Sequence, residues 1–360
     1  MKLRFALVGC GRIAKKHAEI LGDQQLEHAR LAAVCDIDES RARFYGEKYS
    51  VPFFTDMHLM MRTLNDQIDL VSILTPSGSH AQHCVELAPY GKHLVVEKPM
   101  ALTLADADAM IRACDQSRIK LFVVKQNRYN LPVQKLRQAI EANRFGKLVL
   151  GTVRVRWCRT QEYYDQDAWR GTWADDGGVF ANQASHHVDL LEWMMGEVES
   201  VFARSITALV DIEAEDTGVV LLKFTSGALG VIEATTAARP KDLEGSISIL
   251  GENGSVEVGG FAVNSMRTWN FKDTHPGDED ILYKHNENPP NVYGYGHVRY
   301  LEHVVDCVLH NKAALVDGLE GRKSLELITA IYESIETGKE IPLRFSPVKC
   351  RLGMRSEMSR

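Results

Sequence analysis

The sequence predicts two domains, a doubly wound α/β domain with a parallel sheet followed by an α+β domain with an antiparallel sheet. Three observations predict it. Up to about residue 125, short runs that are apolar throughout alternate with segments of helical period; strands buried on both faces belong to a parallel sheet covered on each side by helices. The first run leads into a glycine-rich turn that opens a helix, Gly9-Cys10-Gly11-Arg12-Ile13-Ala14. After about residue 150 the pattern changes to strand-like stretches, some joined by tight turns, with few helices. A length of 360 residues suits about two domains of ~150 residues.

In the first half, strands are expected at Leu3–Val8, Ala29–Cys35, Val51–Phe54, Leu70–Leu74, His93–Val96 and Leu121–Val124. Helices are expected between them at Ala14–Leu21, Glu39–Tyr49, Met57–Leu64, Ser79–Tyr90 and Thr103–Cys114. Gly91 stands where a left-handed cap fits, and Thr103 with Asp106 reads as an N-cap pair. In the second half, Leu148–Trp157, Val198–Ile206, Gly218–Phe224, Ala228–Thr235, Ser246–Leu250 and Ser255–Val258 read as strands. Thr225-Ser226-Gly227 and Glu252-Asn253-Gly254 read as hairpin turns. Helices are expected at Phe180–Met195, Gly296–His310 and Gly321–Thr337. Asp273–Tyr295, rich in Pro, Gly, Asp and Asn, reads as a long surface loop, and Arg351–Arg360 as a loose polar end. The domains on this reading are 1–125, 126–345 and a polar tail, 346–360.

Hydrophobic residues at 45% and charged residues at 25% exclude a disordered chain or a disulfide-stapled mini-protein. Lys and Arg number 42 against 48 Asp and Glu, a net charge of −6, so the overall field of a nucleic-acid binder is missing. No apolar run approaches the ~20 residues of a membrane span. Met1–Gly9 runs into the glycine turn rather than a cleavage site, so no signal peptide is expected. The seven cysteines are odd in number, widely spread and free of C-x-x-C, which reads as reduced thiols in a cytoplasmic protein.

Gly9–Ala14 is the G-x-G-x-x-G/A dinucleotide fingerprint in its required strand–turn–helix context. Gly9 permits the tight turn, Gly11 lets the backbone approach a pyrophosphate, and the helix N-terminus offers amide hydrogens. Asp36 ends the second strand, 22 residues after Ala14. An acid there accepts hydrogen bonds from ribose hydroxyls and repels a 2′-phosphate, and Ile37 and Asp38 follow instead of a cation, so NAD is favoured over NADP. The plainer alternative is that Asp36 caps the next helix. Glu97-Lys98-Pro99 closes the fifth strand, at the carboxyl edge where such sheets bind ligands. Lys98 then points at the nicotinamide side, and Pro99 fixes the backbone, with a cis bond as one option; a surface ion pair is the alternative. Asn182, His186 and Asp189 fall at i, i+4 and i+7, one helical face. A histidine one turn from an amide can handle a hydroxyl proton, with a buried structural histidine as an equal alternative. His186-His187 without H-E-x-x-H or a matched Cys/His cluster predicts no metal.

Gly9–Ala14, Glu97-Lys98-Pro99, Gly177–Asp189, and Gly321-Arg322-Lys323-Ser324-Leu325-Glu326 through Tyr332-Glu333-Ser334 occur in that order. Over residues 1 to about 345 they resemble the glucose–fructose oxidoreductase/inositol dehydrogenase/rhizopine catabolism (Gfo/Idh/MocA) family. The resemblance implies an N-terminal Rossmann domain and a C-terminal domain with a large open antiparallel sheet whose faces form dimers and tetramers. It also implies that a last long helix, here Gly321–Thr337, returns to the first domain. The family's catalytic lysine matches Lys98, and its D-x-G-x-H pattern falls on Asn182, Ala184 and His186. Asparagine cannot relay a proton as a carboxylate does, which leaves Lys98 and His186 as acid–base candidates and Asn182 as a substrate anchor. Lys98 serves as a base only if its pKa falls well below ~10.4, and burial and a positive nicotinamide ring both push it that way.

Within the family, Trp157–Tyr164 with Asp167–Trp173 is similar to UDP-N-acetylglucosaminuronate 3-dehydrogenases of lipopolysaccharide O-antigen synthesis. That similarity implies NAD-dependent oxidation of a sugar 3-hydroxyl, with 2-oxoglutarate as a further hydride acceptor and a homo-tetramer or dimer. Substrate contacts are expected from Asn182, Arg159, Arg170, Tyr163 and Gln126, with Arg128 a further cation. The implied cofactor shell is Gly9, Gly11, Arg12, Ile13, Asp36, Ile37, Thr75, Pro76, His80, Glu97, Lys98, Trp169 and Arg170. The alternatives are a sibling acting on inositol or a sugar phosphate, and a non-catalytic NAD-binding regulator; Glu97-Lys98-Pro99 with His186 favours an enzyme.

Overall fold

In a computed structural model, which describes residues 2–287 and 294–354, the chain divides into two units. The first comprises residues up to 125 together with 297–322, and the second 126–296 together with 323 onward.

The first unit opens with β1 (Leu3–Val8), α1 (Arg12–Gly22), β2 (Ala29–Cys35), α2 (Glu39–Tyr49), β3 (Phe53–Phe54) and α3 (Met57–Leu64). It continues with β4 (Leu70–Ile73), α4 (His80–Leu87), β5 (His93–Val96), α5 (Leu104–Gln116) and β6 (Leu121–Val123). All strand pairs are parallel, in the order β3-β2-β1-β4-β5-β6. Strand order therefore reverses between β1 and β4, the place where doubly wound sheets take their ligand. Every residue of β4 is buried, as continuous apolar runs require when helices cover both faces. The helix starts carry their own capping chemistry. The Asp38 carboxylate accepts from the amides of Ser40 and Arg41, and Thr103 accepts from Asp106 while donating to its carboxylate. Each such cap stabilises by ~1 kcal/mol. After α4 a single 3₁₀ turn ends at Gly91, whose φ of +71° is the left-handed stop.

The second unit contains α6 (Leu131–Glu141), β7 (Leu148–Arg156), α7 (Gln161–Tyr164), α8 (Ser185–Met195), β8 (Val198–Ile206), β9 (Thr217–Phe224) and β10 (Leu229–Thr235). Next come β11 (Glu244–Gly251), β12 (Gly254–Gly259), β13 (Ser265–Phe271), α9 (Ile281–Lys284), α10 (Gly296–Leu309), α11 (Gly318–Thr337) and β14 (Ile341–Pro342). Of these, α10 from His297 and α11 as far as Arg322 group with the first unit. The strands form one eight-stranded sheet, β13-β12-β11-β7-β10-β9-β8-β14. Side chains alternate across it. On β9, Gly218, Val220, Leu222 and Phe224 are buried, whereas Val219 and Leu221 are exposed. The helix α8 packs on the buried face, over β7 and β11. The opposite face carries Leu250, Leu150 and Leu229 in one register row and Val231, Leu221 and Phe202 in the next.

Several elements differ from expectation. The sheet is mixed, because β10 pairs with β7 in parallel while every other pair is antiparallel. The β8–β9–β10 meander re-enters beside β7 after a long connection, and an odd number of strands returns it in the same direction. Five elements lie outside those expected, namely α6, α7, α9, β13 and β14; β13 buries only Met266 and Trp269, and α7, α9 and β14 are four residues or shorter. The loop expected over Asp273–Tyr295 contains a 3₁₀ turn at Asp278–Asp280 and α9, and its residues 288–293 lie outside the described residues, as do 355–360 of the polar tail.

Residues 297–322, which the sequence reading places within 126–345, group with the first compact unit, and most of Gly321–Thr337 groups with the second. The physical reason is local. Val123 N–H donates to the Val316 carbonyl at 3.1 Å, and Gly318 and Gly321 press against Ile111, Leu121 and Val123 with no space for a Cβ. No helix among the described residues is long and apolar enough to cross a membrane.

Candidate functional site

In the first unit, the turn after β1 is built so that only glycine fits its first position. Gly9 has φ +97°, and a Cβ there would lie 2.7 Å from the Leu74 carbonyl carbon. Around Gly11 a Cβ would meet nothing within 4 Å, and the N-cap of α1, being glycine, has no side chain of its own to cover the first turn. Open space over a helix N-terminus fits a pyrophosphate. Arg12 is exposed and Ile13 half-buried beside it. The Asp36 carboxylate accepts from the Cys10 amide at 2.6 Å and the Asp38 amide at 2.8 Å. It thus ties the glycine turn to the end of β2, while the cap of α2 is Asp38 rather than Asp36. The next side chain, Ile37, is 95% exposed.

Beyond β4, Thr75 Oγ1 bonds His83 Nδ1 at 2.9 Å, and Pro76 is exposed. His80 is buried with its two ring nitrogens each 2.8 Å from a carbonyl oxygen, of Thr75 and of Pro99. Burial holds its pKa below the ordinary histidine value, and the two carbonyls oppose that shift. At the end of β5, buried Glu97 takes hydrogen bonds on Oε1 from His17 at 3.1 Å and His297 at 3.3 Å, and on Oε2 from the Lys98 amide at 3.1 Å. Burial alone would raise this carboxyl, but the two histidine bonds outweigh it and hold it well below the usual carboxylate range. Lys98 is half-buried, and the Lys98–Pro99 bond is cis. Its amide is held by Glu97, and the carbonyl of the following residue by His80.

His17, Glu97 and His297 form a group close enough to hold a metal, found among the described residues although no sequence spacing reveals it. A metal-bound histidine has its other ring nitrogen held by a partner. His17 Nδ1 has no hydrogen-bond partner among the described residues, so the group fits a hydrogen-bonded clamp around Glu97 rather than a metal centre.

In the second unit, Arg159, Tyr163, Trp169 and Arg170 come together. Arg170 donates to Tyr163 Oη at 2.7 Å and stacks over the Tyr163 and Trp169 rings at 4.6 and 4.5 Å. Arg159 lies over Tyr163 and Trp157, both at 5.3 Å. Each guanidinium already holds one carboxylate, Asp242 for Arg159 and Asp167 for Arg170, both at 2.9 Å. A guanidinium has five N–H groups, so those bonds do not exhaust it. Arg128 is corrected as a substrate cation. It forms a bidentate pair with Asp189, both distances 2.8 Å, with side chains 3% and 1% exposed, beneath Trp193. It anchors α8.

His186 lies buried in the first turn of α8, with Gln126 Nε2 2.9 Å from its Nε2. The amide donates, so the neutral ring carries its proton on Nδ1. Asn182 does not share a helical face with His186 and Asp189, because α8 begins only at Ser185. Asn182 lies in the preceding turn, where its amide donates to Asp176, whose other oxygen accepts from the Gly171 amide at 2.8 Å. Sequence reasoning missed His17, Asp176, Glu215 and His297, since only folding assembles them; Tyr332 stood in a quoted motif without a role.

Family models were matched in both halves. One described as oxidoreductase family, NAD-binding Rossmann fold, covers residues 3–125, and one described as oxidoreductase family, C-terminal alpha/beta domain, covers 137–343. A myo-inositol 2-dehydrogenase of Thermotoga maritima is 30% identical over 350 residues, 95% of this chain and 98% of that protein. The WlbA dehydrogenase of Bordetella pertussis, solved with NADH and UDP-GlcNAcA, is 43% identical with a TM-score of 0.87, over 96% of this chain and 98% of that one. The WlbA enzyme of Chromobacterium violaceum, solved with the same two ligands, is 44% identical with a TM-score of 0.87, over 96% and 97%.

Proposed function

The chain belongs to the Gfo/Idh/MocA family of NAD-binding oxidoreductases, and on that premise we propose that it oxidises the 3-hydroxyl of UDP-N-acetylglucosaminuronate to the 3-keto sugar, in the making of lipopolysaccharide O-antigen. The observation that carries this reading is the likeness, at 43–44% identity over nearly the whole chain, to two dehydrogenases solved with NADH and UDP-GlcNAcA. The gathered Arg159, Tyr163 and Arg170 support it, since a uronate and a diphosphate both call for guanidinium groups.

NAD, when bound, accepts the hydride from the sugar carbon. Lys98 takes the hydroxyl proton, and its side chain is aimed by a backbone clamped at the Glu97 carboxylate and the His80 ring. His186, with its tautomer set by Gln126, holds or relays that proton, and Asn182 anchors the sugar. Trp169 and Arg170 contribute to the cofactor's surroundings as well as to the substrate's. Asp36 sets the preference for NAD over NADP. We further propose 2-oxoglutarate as the acceptor that re-oxidises the cofactor, and a second copy of the chain on the open sheet face, giving a dimer or tetramer. A cytoplasmic setting fits seven cysteines that are all free thiols.

The test is to add UDP-N-acetylglucosaminuronate, UDP-N-acetylglucosamine and myo-inositol separately to the NAD-loaded protein and follow NADH absorbance. The uronate should be oxidised with kcat/KM at least ~100-fold above the hydroxymethyl sugar, because guanidinium N–H groups left over by Asp242 and Asp167 make charge-assisted bonds to a carboxylate that a hydroxymethyl group cannot accept as strongly. Arg159→Ala and Arg170→Ala should narrow that gap. A second reading, inositol oxidation, rests on the full-length likeness to the Thermotoga maritima enzyme. Efficient turnover of myo-inositol with none of the uronate would replace the first reading by this one.

A further inference from the structure

Four consecutive backbone amides in the turn before α8 are held from outside the turn, and by only two residues. Gly178 N–H and Ala181 N–H both donate to Tyr332 Oη, at 3.1 and 3.3 Å. Val179 N–H donates to the Glu215 carbonyl at 3.0 Å, and Phe180 N–H to Glu215 Oε1 at 3.1 Å. Tyr332 in turn donates its hydroxyl proton to Glu215 Oε1 at 3.0 Å. Inside this frame the turn closes on itself, with Asn182 N–H on the Gly178 carbonyl at 3.1 Å and Ala184 N–H on the Val179 carbonyl at 2.8 Å. The fit is tight. A Cβ on Gly178 would stand 2.1 Å from Glu215 Oε2, and one on Gly218 would stand 2.5 Å from the Phe180 ring. The same frame explains why a helix whose periodicity begins at Phe180 starts only at Ser185: amides that could enter a helical ladder are already bound elsewhere.

We propose that Glu215 and Tyr332 are positioning residues that set the turn presenting Asn182 and leading into His186, and that ionisation of Glu215 tightens that turn. The functional part of this rests on the reading of Asn182 and His186 as substrate-handling residues; the structural part does not. Glu215 and Tyr332 are both buried, and Glu215 Oε2 has no hydrogen-bond partner among the described residues. Burial pushes the Glu215 carboxyl up to about 7, against the pull of the Phe180 and Tyr332 bonds and with the Asp176 carboxylate adding to the rise. The titratable groups that face it are Tyr332 from α11 and Asp176 from the turn. Further out, Glu213 accepts from the Trp173 amide, and Arg351 lies over the Trp173 ring, which packs edge-on to Tyr332.

An ionised acceptor makes stronger hydrogen bonds than a neutral one, so the Phe180 and Tyr332 bonds strengthen as pH rises through about 7. Stability runs the other way. A carboxyl whose folded pKa lies above its unfolded value contributes stability at low pH that is lost as pH rises towards the folded pKa. That loss runs from the ordinary carboxyl range up to about 7 and ends there, and the turn tightens at the upper end of that window, where Glu215 ionises in the folded protein.

The experiment is amide hydrogen exchange on the NAD-loaded protein, read for the peptide covering 178–184 and for β9 as internal control. It is run from about pH 6 to about pH 8.5 with correction for intrinsic rates, beside steady-state kinetics with UDP-N-acetylglucosaminuronate. Tyr332→Phe should speed exchange in 178–181 by about tenfold or more, leave β9 unchanged, and lower kcat/KM by a similar factor. Glu215→Gln keeps the Oε1 acceptor, so it should restore protection and activity to within about threefold of wild type, but lose the rise in protection through neutral pH. Glu215→Ala should resemble Tyr332→Phe. Unchanged exchange in Tyr332→Phe, or a pH profile in Glu215→Gln like that of wild type, overturns the proposal. If the wild type turns over no UDP-sugar, the functional reading falls alone, and the exchange data still decide whether Glu215 and Tyr332 hold the turn.

Discussion

Lys98 sits between two buried anchors, the Glu97 carboxylate on its own amide and the His80 ring on the carbonyl of Pro99. A side chain meant to take a proton benefits from such a base, because a shift of about 1 Å can cost ~100-fold in rate. Replacing Lys98 by Met removes the amine and leaves both anchors. Turnover should fall by ~10²–10⁴-fold with NAD affinity, measured by calorimetry, nearly unchanged. A rate close to wild type would shift the role to His186. Asp36 is a different case, since the carboxylate proposed to meet the ribose also holds the glycine turn through the Cys10 amide. Asp36→Ala should therefore relax the preference for NAD over NADP and weaken NAD itself, by a factor consistent with one lost charge-assisted hydrogen bond, ~1.5–3 kcal/mol. Equal affinity of the wild-type protein for both cofactors would remove Asp36 from this role.

The helix α8 carries His186 and is fastened from below by Asp189 to Arg128, a pair out of contact with solvent. Removing one partner of a buried pair leaves the other charge uncompensated, which costs ~3–5 kcal/mol. Asp189→Ala should lower the thermal midpoint and destabilise the second unit by about that amount, read by chemical denaturation; a cost below ~1 kcal/mol would mean that the pair is solvated in the native state. At this scale legibility was uneven. Strands β1, β2 and β5 coincide with their expected bounds, because an apolar run closed by a turn residue states both ends. The start of α8 was misplaced, since nothing within residues 177–189 reveals that Glu215 and Tyr332 take the turn's amides. Arg128 read as a substrate cation for the same reason: its partner lies 61 residues away.

Across the whole molecule, the face of the eight-stranded sheet opposite α8 exposes Leu221 and Leu229 at 55% and 57%, in rows continued by Leu150, Leu250, Val231 and Phe202. This apolar face is the surface proposed above for a second copy of the chain, and burying the exposed half of each leucine is worth about 1 kcal/mol per copy. The double substitution Leu221→Lys with Leu229→Lys should reduce the species seen by light scattering to monomer without lowering the thermal midpoint of the second unit. An unchanged oligomer would place the contact elsewhere, and a wild-type monomer would remove it.

The sequence by itself determined the doubly wound first unit, the dinucleotide turn at Gly9–Ala14 and the family, because each depends on residues adjacent in the chain or on a periodicity within one element. The tertiary structure alone decided the rest. It clamps Glu97 between His17 and His297, gathers Arg159 and Arg170 around Tyr163, pairs β10 with β7 in parallel, and suspends the turn before His186 from Glu215 and Tyr332. These join residues tens to hundreds of positions apart, and a buried carboxylate or amide is satisfied by whatever donor the fold brings to it, which no local pattern specifies.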